Sequence, residues 1–343
     1  MKNIHSGNLL SLTIKIISLS FLFLFFITAL QAQDYETTVA KNGEGIYSLL
    51  KRHNLSASEY FNQFIELNKS KLGKNNSLFV GQSYTLPIKK QTSTPTPSAG
   101  TIYSIFGKTY EQVTPIDNSL QGAVYYLVSG HGGPDPGAVG QYGNHTLCED
   151  EYAYDVTLRL ARSLIEHGAL VYMITRDEND GIRDESYLIP DKDETCYPNK
   201  EIPRNQLKRL RQRKDAVNKL YIEHKGSLQR LVIVHVDSRS KGENIDVFFY
   251  HDKRSKTGKK LANNLQQTFK KKYDTHQPNR GYHGSVSERN LYVLKYSYPP
   301  AVFIELGNIN HYRDQQRFIR SNNRQALANW LEEGLEVDFK NNK

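Results

Sequence analysis

Three apolar runs in this 343-residue chain end in side chains that could do chemistry. "AVYYLVSG" (123–130) leads into His131, "RLVIVHVD" (230–237) delivers His235, and "PPAVFIELGN" (299–308) delivers Glu305. An isolated charge at the end of a buried strand is costly, so each needs a partner. One such residue would read as a satisfied structural polar group, whereas three at one edge of one sheet predict a shared site. A fourth candidate comes from "CEDEYAYDVTLRLARSL" (148–164), where helix phase chooses among neighbouring acids. Ala153, Val156, Leu160 and Leu164 form an inward stripe, and four residues back from Ala153 stands Glu149. Glu151 falls in phase with Asp155, Leu158 and Arg162, a mostly polar face expected to be wet. Asp150 sits beside the stripe and stays an alternative.

Two histidines and one carboxylate form a zinc set with water in the fourth position, suited to hydrolysis. The metal brings the pKa of its water toward neutrality, and a further carboxylate then serves as general base. The favoured division puts His131, Glu149 and His235 on zinc and leaves Glu305 as the base. Spacing alone leaves the roles of Glu149 and Glu305 exchangeable. There is no HExxH helix of the zincin type. The loop "VSGHGGPDPGAVG" (128–140) suits a ligand-bearing turn. Gly130, Gly132 and Gly133 are expected to let backbone pass close to metal and substrate, and the prolines to stiffen the remainder.

The elements that must position these residues alternate. Apolar runs at 123–130, 169–176, 230–237, 244–251 and 299–308 are separated by amphipathic helical stretches, the pattern of a mostly parallel sheet with helices on both faces. Ligands in such α/β folds bind at the carboxyl ends of the strands. The polar connection at 177–205 leaves that same edge and is long enough to suggest a lid over a binding groove. There is no internal repeat. Cys148 and Cys196 are the only cysteines, too few for a structural zinc site, and their pairing in a disulfide is left open. Arg176 and Arg213 read as structural pairing residues. His251, His276, His283 and His311 lie in polar contexts and are expected at the surface, and Tyr282 and Tyr292 are candidates for stacking on a sugar or peptide.

Ahead of this unit the composition changes twice. Residues 1–32 carry Lys2, His5 and Lys15 before the apolar "IISLSFLFLFFITAL" and end in "LQA", a signal-peptide pattern that predicts export to the periplasm, the cell envelope or beyond. "QTSTPTPSAG" marks a linker, taken as 90–101, between a small unit at 35–89 and a large one at 102–343. The small unit reads as strand, helix, helix, strand (βααβ). With a net charge of +9 on an exported chain, a polyanionic envelope polymer is a better partner than nucleic acid.

Two resemblances follow. The small unit resembles a LysM module through its glycine turn before "IYSLLKR", Asn68 at the end of the second helical part, and "VGQSYTLP". That implies binding of N-acetylglucosamine-containing glycan. The large unit, from about Ala123 to Gly334, resembles zinc-dependent N-acetylmuramoyl-L-alanine amidases. Its marks are "GHGGPDPGAVG", Glu149 before a helix, "TRDEND", "VHVDS" and "PPAVFIELGNINHYRD". The resemblance implies cleavage of the amide between N-acetylmuramic acid and L-alanine in peptidoglycan, with zinc on His131, Glu149 and His235 and Glu305 as the essential glutamate. It also implies a tethered two-part cell-wall hydrolase, and leaves open a protein activator. The alternatives are a zinc peptidase cutting within the stem peptide and a non-catalytic wall-binding protein. The chain departs from the family pattern in two places, with Val128-Ser129 where Asp-Pro is common and Asp237 where an asparagine is common. Neither change removes a ligand.

Overall fold

The computed structural model of the protein describes residues 35–55, 57–88, 100–238 and 244–343. The expected signal peptide and most of the expected linker lie outside the described residues.

The small unit pairs strand β1 (Thr37–Val39) antiparallel with β2 (Ser83–Thr85), and places helices α1 (Ile46–Arg52) and α2 (Ala57–Asn68) between them in sequence. Ile46, Leu49, Leu50, Phe64 and Tyr84 form its core. Asn68 ends α2 and bridges to β2. Its side-chain amide donates to the Thr85 carbonyl at 2.7 Å, and its oxygen accepts the Thr85 amide at 2.7 Å. The Phe79 amide donates to the Tyr84 hydroxyl at 2.7 Å, which folds the preceding residues back over β2.

The large unit is built on one six-stranded sheet: β3 (Ala123–Ser129), β6 (Leu170–Met173), β7 (Leu228–Asp237), β8 (Phe248–His251), β9 (Val286–Glu288) and β10 (Ala301–Asn308). A hairpin of β4 (Val139–Tyr142) and β5 (His145–Cys148) follows the glycine loop. Across the sheet the order is β9-β8-β10-β7-β3-β6. Strands β10, β7, β3 and β6 are mutually parallel, while β8 runs antiparallel to β10 with β9 parallel beside it. The mostly parallel α/β sheet expected from the alternation is therefore present, with reversed strands at one side.

Side chains alternate between two cores, as a pleated strand requires. Tyr125, Leu127, Val232 and Val234 face a layer made by α3 (Glu149–Glu166), α5 (Lys256–His276) and α7 (Ser321–Lys340). Val124, Tyr126, Leu231 and Ile233 face α4 (Gln206–Glu223) and the short helix Tyr292–Tyr296. The closing helical stretch is two helices, α6 (Tyr312–Ile319) and α7, broken at Arg320, whose backbone is extended.

The face of α3 expected to be wet is buried. Asp155 has no exposed surface and meets the guanidinium groups of Arg159 at 2.7 Å and Arg324 at 2.6 Å. Glu151 is buried as well, 2.9 Å from Arg183. The 177–205 connection and α7 lie over this face, so its charges are paired inside the protein. The connection carries two-residue strands at Thr195–Cys196 and Lys200–Glu201, the first of them paired with Thr175–Arg176. Leu188, Glu194 and Cys196 within it are buried. No described helix is long and apolar enough to cross a membrane.

The small unit packs against the large one. Lys51 lies over the Tyr110 ring at 3.7 Å, and Phe61 meets His276 edge-on at 4.7 Å.

Candidate metal centre

β7 and β10 run side by side with His235 opposite Glu305. Both continue the odd positions that face α4, and His235 stacks on Phe303 with ring centroids 4.3 Å apart. β3 ends one hydrogen bond short of His131, where the Gly130 amide donates to the Val234 carbonyl at 2.7 Å. Glu149 opens α3 on the opposite face and reaches over the sheet edge. Its Oε1 accepts the Val236 amide at 3.0 Å and His235 Nδ1 at 2.8 Å, and its Oε2 accepts the Ala138 amide at 2.8 Å. His131 Nε2 stands 3.3 Å from Glu149 Oε2. Side-chain ligand atoms of His131, Glu149 and His235 all lie within 4.8 Å of one another.

His131 holds this position in a left-handed backbone conformation, φ +60°, which few non-glycine residues adopt. Two arginines on α4 secure it. Arg213 donates to the His131 carbonyl, and Arg209 pairs with Asp135. Asp135 Oδ2 in turn accepts His131 Nδ1 at 2.9 Å. The hydrogen bond from His131, working against burial and helped by Arg209, holds Asp135 well below the usual carboxylate range. An ionised Asp135 can only accept, so a neutral His131 with its proton on Nδ1 would leave the Nε2 lone pair available to a metal.

Burial alone would raise Glu149, but His235, His131 and the Ala138 amide bring it below its ordinary value. Burial lowers His235 against the pull of Glu149, which favours the neutral imidazole that binds metals. The donor set of two imidazoles and one carboxylate matches zinc with an open fourth position. The cradle is closely fitted. A Cβ on Gly130 would stand 2.4 Å from His235 Nδ1, and one on Gly137, at φ +69°, 2.7 Å from Glu149 Oε2. The close-approach role expected of Gly132 and Gly133 therefore belongs to Gly130 and Gly137.

Glu305 is 7% exposed, and Arg289 Nη1 lies 3.7 Å from its Oε1. Asp237 is not in the ligand trio, and its carbonyl accepts the Ile309 amide at 2.8 Å. Cys148 and Cys196 are free and buried. Their thiols are pushed up to about 11 by burial. Arg176 pairs structurally, with the Pro198 carbonyl at 2.8 Å. His251 is buried against the Asp252 carbonyl and His276 stacks on Trp330, so neither is the surface residue expected from its polar neighbours. His283 is exposed. Tyr282 donates to the Val247 carbonyl and stacks on Tyr273, which ties it into the fold. Tyr292 packs on Tyr296 at 4.7 Å. Asp135, Arg209 and Arg289 are the residues that sequence reasoning missed. A carboxylate four residues past a candidate ligand histidine, in the same loop, is the one signal that could have found Asp135.

A family model described as N-acetylmuramoyl-L-alanine amidase matches residues 126–337, which contain His131, Glu149, His235 and Glu305. A probable cell wall amidase, LytH of Staphylococcus aureus, is 27% identical over 230 residues. That match takes in 65% of this chain and 60% of the relative, so the chain spans less than two thirds of that protein's length. Among solved structures, the amidase Ami1 from Mycobacterium smegmatis is 16% identical, covering 65% of this chain and 99% of that one with a TM-score of 0.48. The CwlD amidase from Clostridioides difficile, solved in complex with the GerS lipoprotein, is 20% identical, covering 63% and 98% with a TM-score of 0.46. The family match runs across more than half of the chain and through all four candidate residues: the protein belongs to the N-acetylmuramoyl-L-alanine amidase family.

Proposed function

We propose that the protein is an exported, zinc-dependent peptidoglycan amidase that hydrolyses the bond between N-acetylmuramic acid and the L-alanine of the stem peptide. The observation that carries this reading is the convergence of His131, Glu149 and His235 at the carboxyl edge of the sheet, with Glu305 in register beside His235. The three converging residues would hold zinc, which supplies Lewis acidity toward a substrate carbonyl and acidifies water. Asp135, braced by Arg209, keeps the His131 proton on Nδ1 and leaves Nε2 to bind. Glu305 takes the proton of the attacking water and passes it to the departing amine of L-alanine. The C–N bond breaks, leaving a lactyl carboxylate and a stem peptide with a free amino terminus. Arg289 restrains the Glu305 carboxylate during the transfer. The small unit, with its LysM-like order of elements, is assigned to the glycan strand.

Glu305→Gln tests the assignment. The variant is expected to keep one zinc per chain and to release stem peptide from a soluble muropeptide about 10²- to 10⁴-fold more slowly. Wild-type turnover by the zinc-loaded variant would remove Glu305 from the mechanism.

A further inference from the structure

A second group of carboxylates lies beside the loop that carries His131. Asp150, Glu151 and Glu194 are all buried, and each brings a side-chain oxygen within 4.8 Å of the others. Glu194 forms a second such trio with Asp177 and Asp191. Asp150 and Glu151 come from the first turn of α3, where the helix dipole favours negative charge. The other three belong to the 177–205 connection. Among the described residues, the one ion pair made by these five acids is Glu151 with Arg183, and Arg183 is shared with Asp180.

Acids alone do not make a site, but Asp150 adds a separate observation. It is 2% exposed, and its Oδ1 accepts the Glu151 amide at 3.0 Å. Its Oδ2 is buried with no hydrogen-bond partner among the described residues. A buried carboxylate oxygen left without a donor, beside two further buried carboxylates, is a costly arrangement that a cation relieves. Burial pushes Asp177 up to about 7 and, with the neighbouring acids, raises Glu194, so the charge of both is held at a cost.

We propose that Asp150, Glu151 and Glu194, joined by Asp177 and Asp191, bind a calcium ion distinct from the zinc trio. The donors are all carboxylate oxygens, which select a hard cation over zinc. Spread over two linked trios, they suit the flexible high coordination of calcium better than the strict octahedron of magnesium. The ion would join the start of α3 to the 177–205 connection. Through Glu194 Oε2, which accepts the Gly133 amide at 2.6 Å, it would also brace the loop that aims His131.

Terbium, a luminescent stand-in for calcium, tests this without any substrate, so the result is independent of the amidase reading. Tyr154 hydrogen-bonds to the backbone of Asp177 and can sensitise the ion. The full chain, stripped with chelator and reloaded with zinc, is expected to bind one terbium in a tyrosine-sensitised signal. Calcium should displace it far more readily than magnesium, and calcium should raise the melting temperature. Asp191→Asn and Glu194→Gln should each weaken calcium binding by about tenfold or more, and Asp191→Asn should leave zinc content constant. Asp191 is exposed, so its variant decides the matter if Glu194→Gln fails to fold. The proposal is overturned by the absence of a saturable signal, by displacement with zinc or equally with magnesium, or by full calcium affinity in the folded variants.

Discussion

His131 owes its aim to groups on the far side of its ring. Its carbonyl is held by Arg213 and its Nδ1 by Asp135, so the proposed ligand atom, Nε2, is chosen by partners outside the trio. Asp135→Asn removes the anion that fixes this tautomer and is expected to lower zinc affinity about 10- to 100-fold, read by competition with a chromophoric chelator. An unchanged affinity would make Asp135 a loop residue only. The convergence of His131, Glu149 and His235, with Glu305 in register beside His235, was legible in the sequence because strand ends and helix phase are one-dimensional signals. Asp135 was not, since its role depends on the left-handed turn at His131, and no spacing rule predicts φ +60° for a histidine. Gly137 escaped notice for the same reason: its neighbours are Glu149 Oε2 and the His131 ring, which only the folded loop brings near.

At the scale of elements, α3 shows where pattern reading failed. The inward stripe of Ala153, Val156, Leu160 and Leu164 is buried as its period requires. The polar stripe is buried too, because Arg159, Arg183 and Arg324 neutralise it from α3 itself, the connection and α7. A helix face reads as wet when its charges have no visible partner, and two of these partners lie 28 or more residues away. α7 carries the opposite case in Glu332, which is 3% exposed. Burial first, then Glu336 and Glu333, raise its carboxyl well above the ordinary value. The folded state therefore holds a proton that the unfolded chain releases near the ordinary glutamate value. This contribution to stability is complete below that value. It declines as pH rises toward the raised one, by up to about 1.4 kcal/mol per pH unit. Glu332→Gln should make the decline shallower and leave the protein more stable at neutral pH, measured by urea unfolding at pH 5 and pH 7. A decline of equal slope in the variant would place its origin in another group.

At the scale of the whole molecule, the alternation of runs predicted an α/β sheet with both faces covered, and the sheet is there. The reversed β8 and β9 were not legible, because strand direction is set by how the chain crosses the sheet and leaves no mark on composition. The described residues place the small unit against the large one through Lys51, Phe61 and the neighbourhood of Trp330. Trp330 is the single tryptophan, 7% exposed, with Tyr47 of α1 beside it. Tyr47→Ala should therefore shift tryptophan emission to the red, and an unshifted spectrum would argue that the two units are not docked in solution. If the small unit holds glycan as proposed, docking would give that strand a defined bearing on the candidate metal centre, which a loose tether would not. The central claim is tested most directly by digesting purified peptidoglycan with the zinc-loaded protein and identifying the soluble products by mass spectrometry. Stem peptides with a free L-alanine amino terminus, absent after chelation, are the predicted products. Fragments cut within the peptide, or none from a folded and zinc-loaded sample, would contradict the amidase assignment.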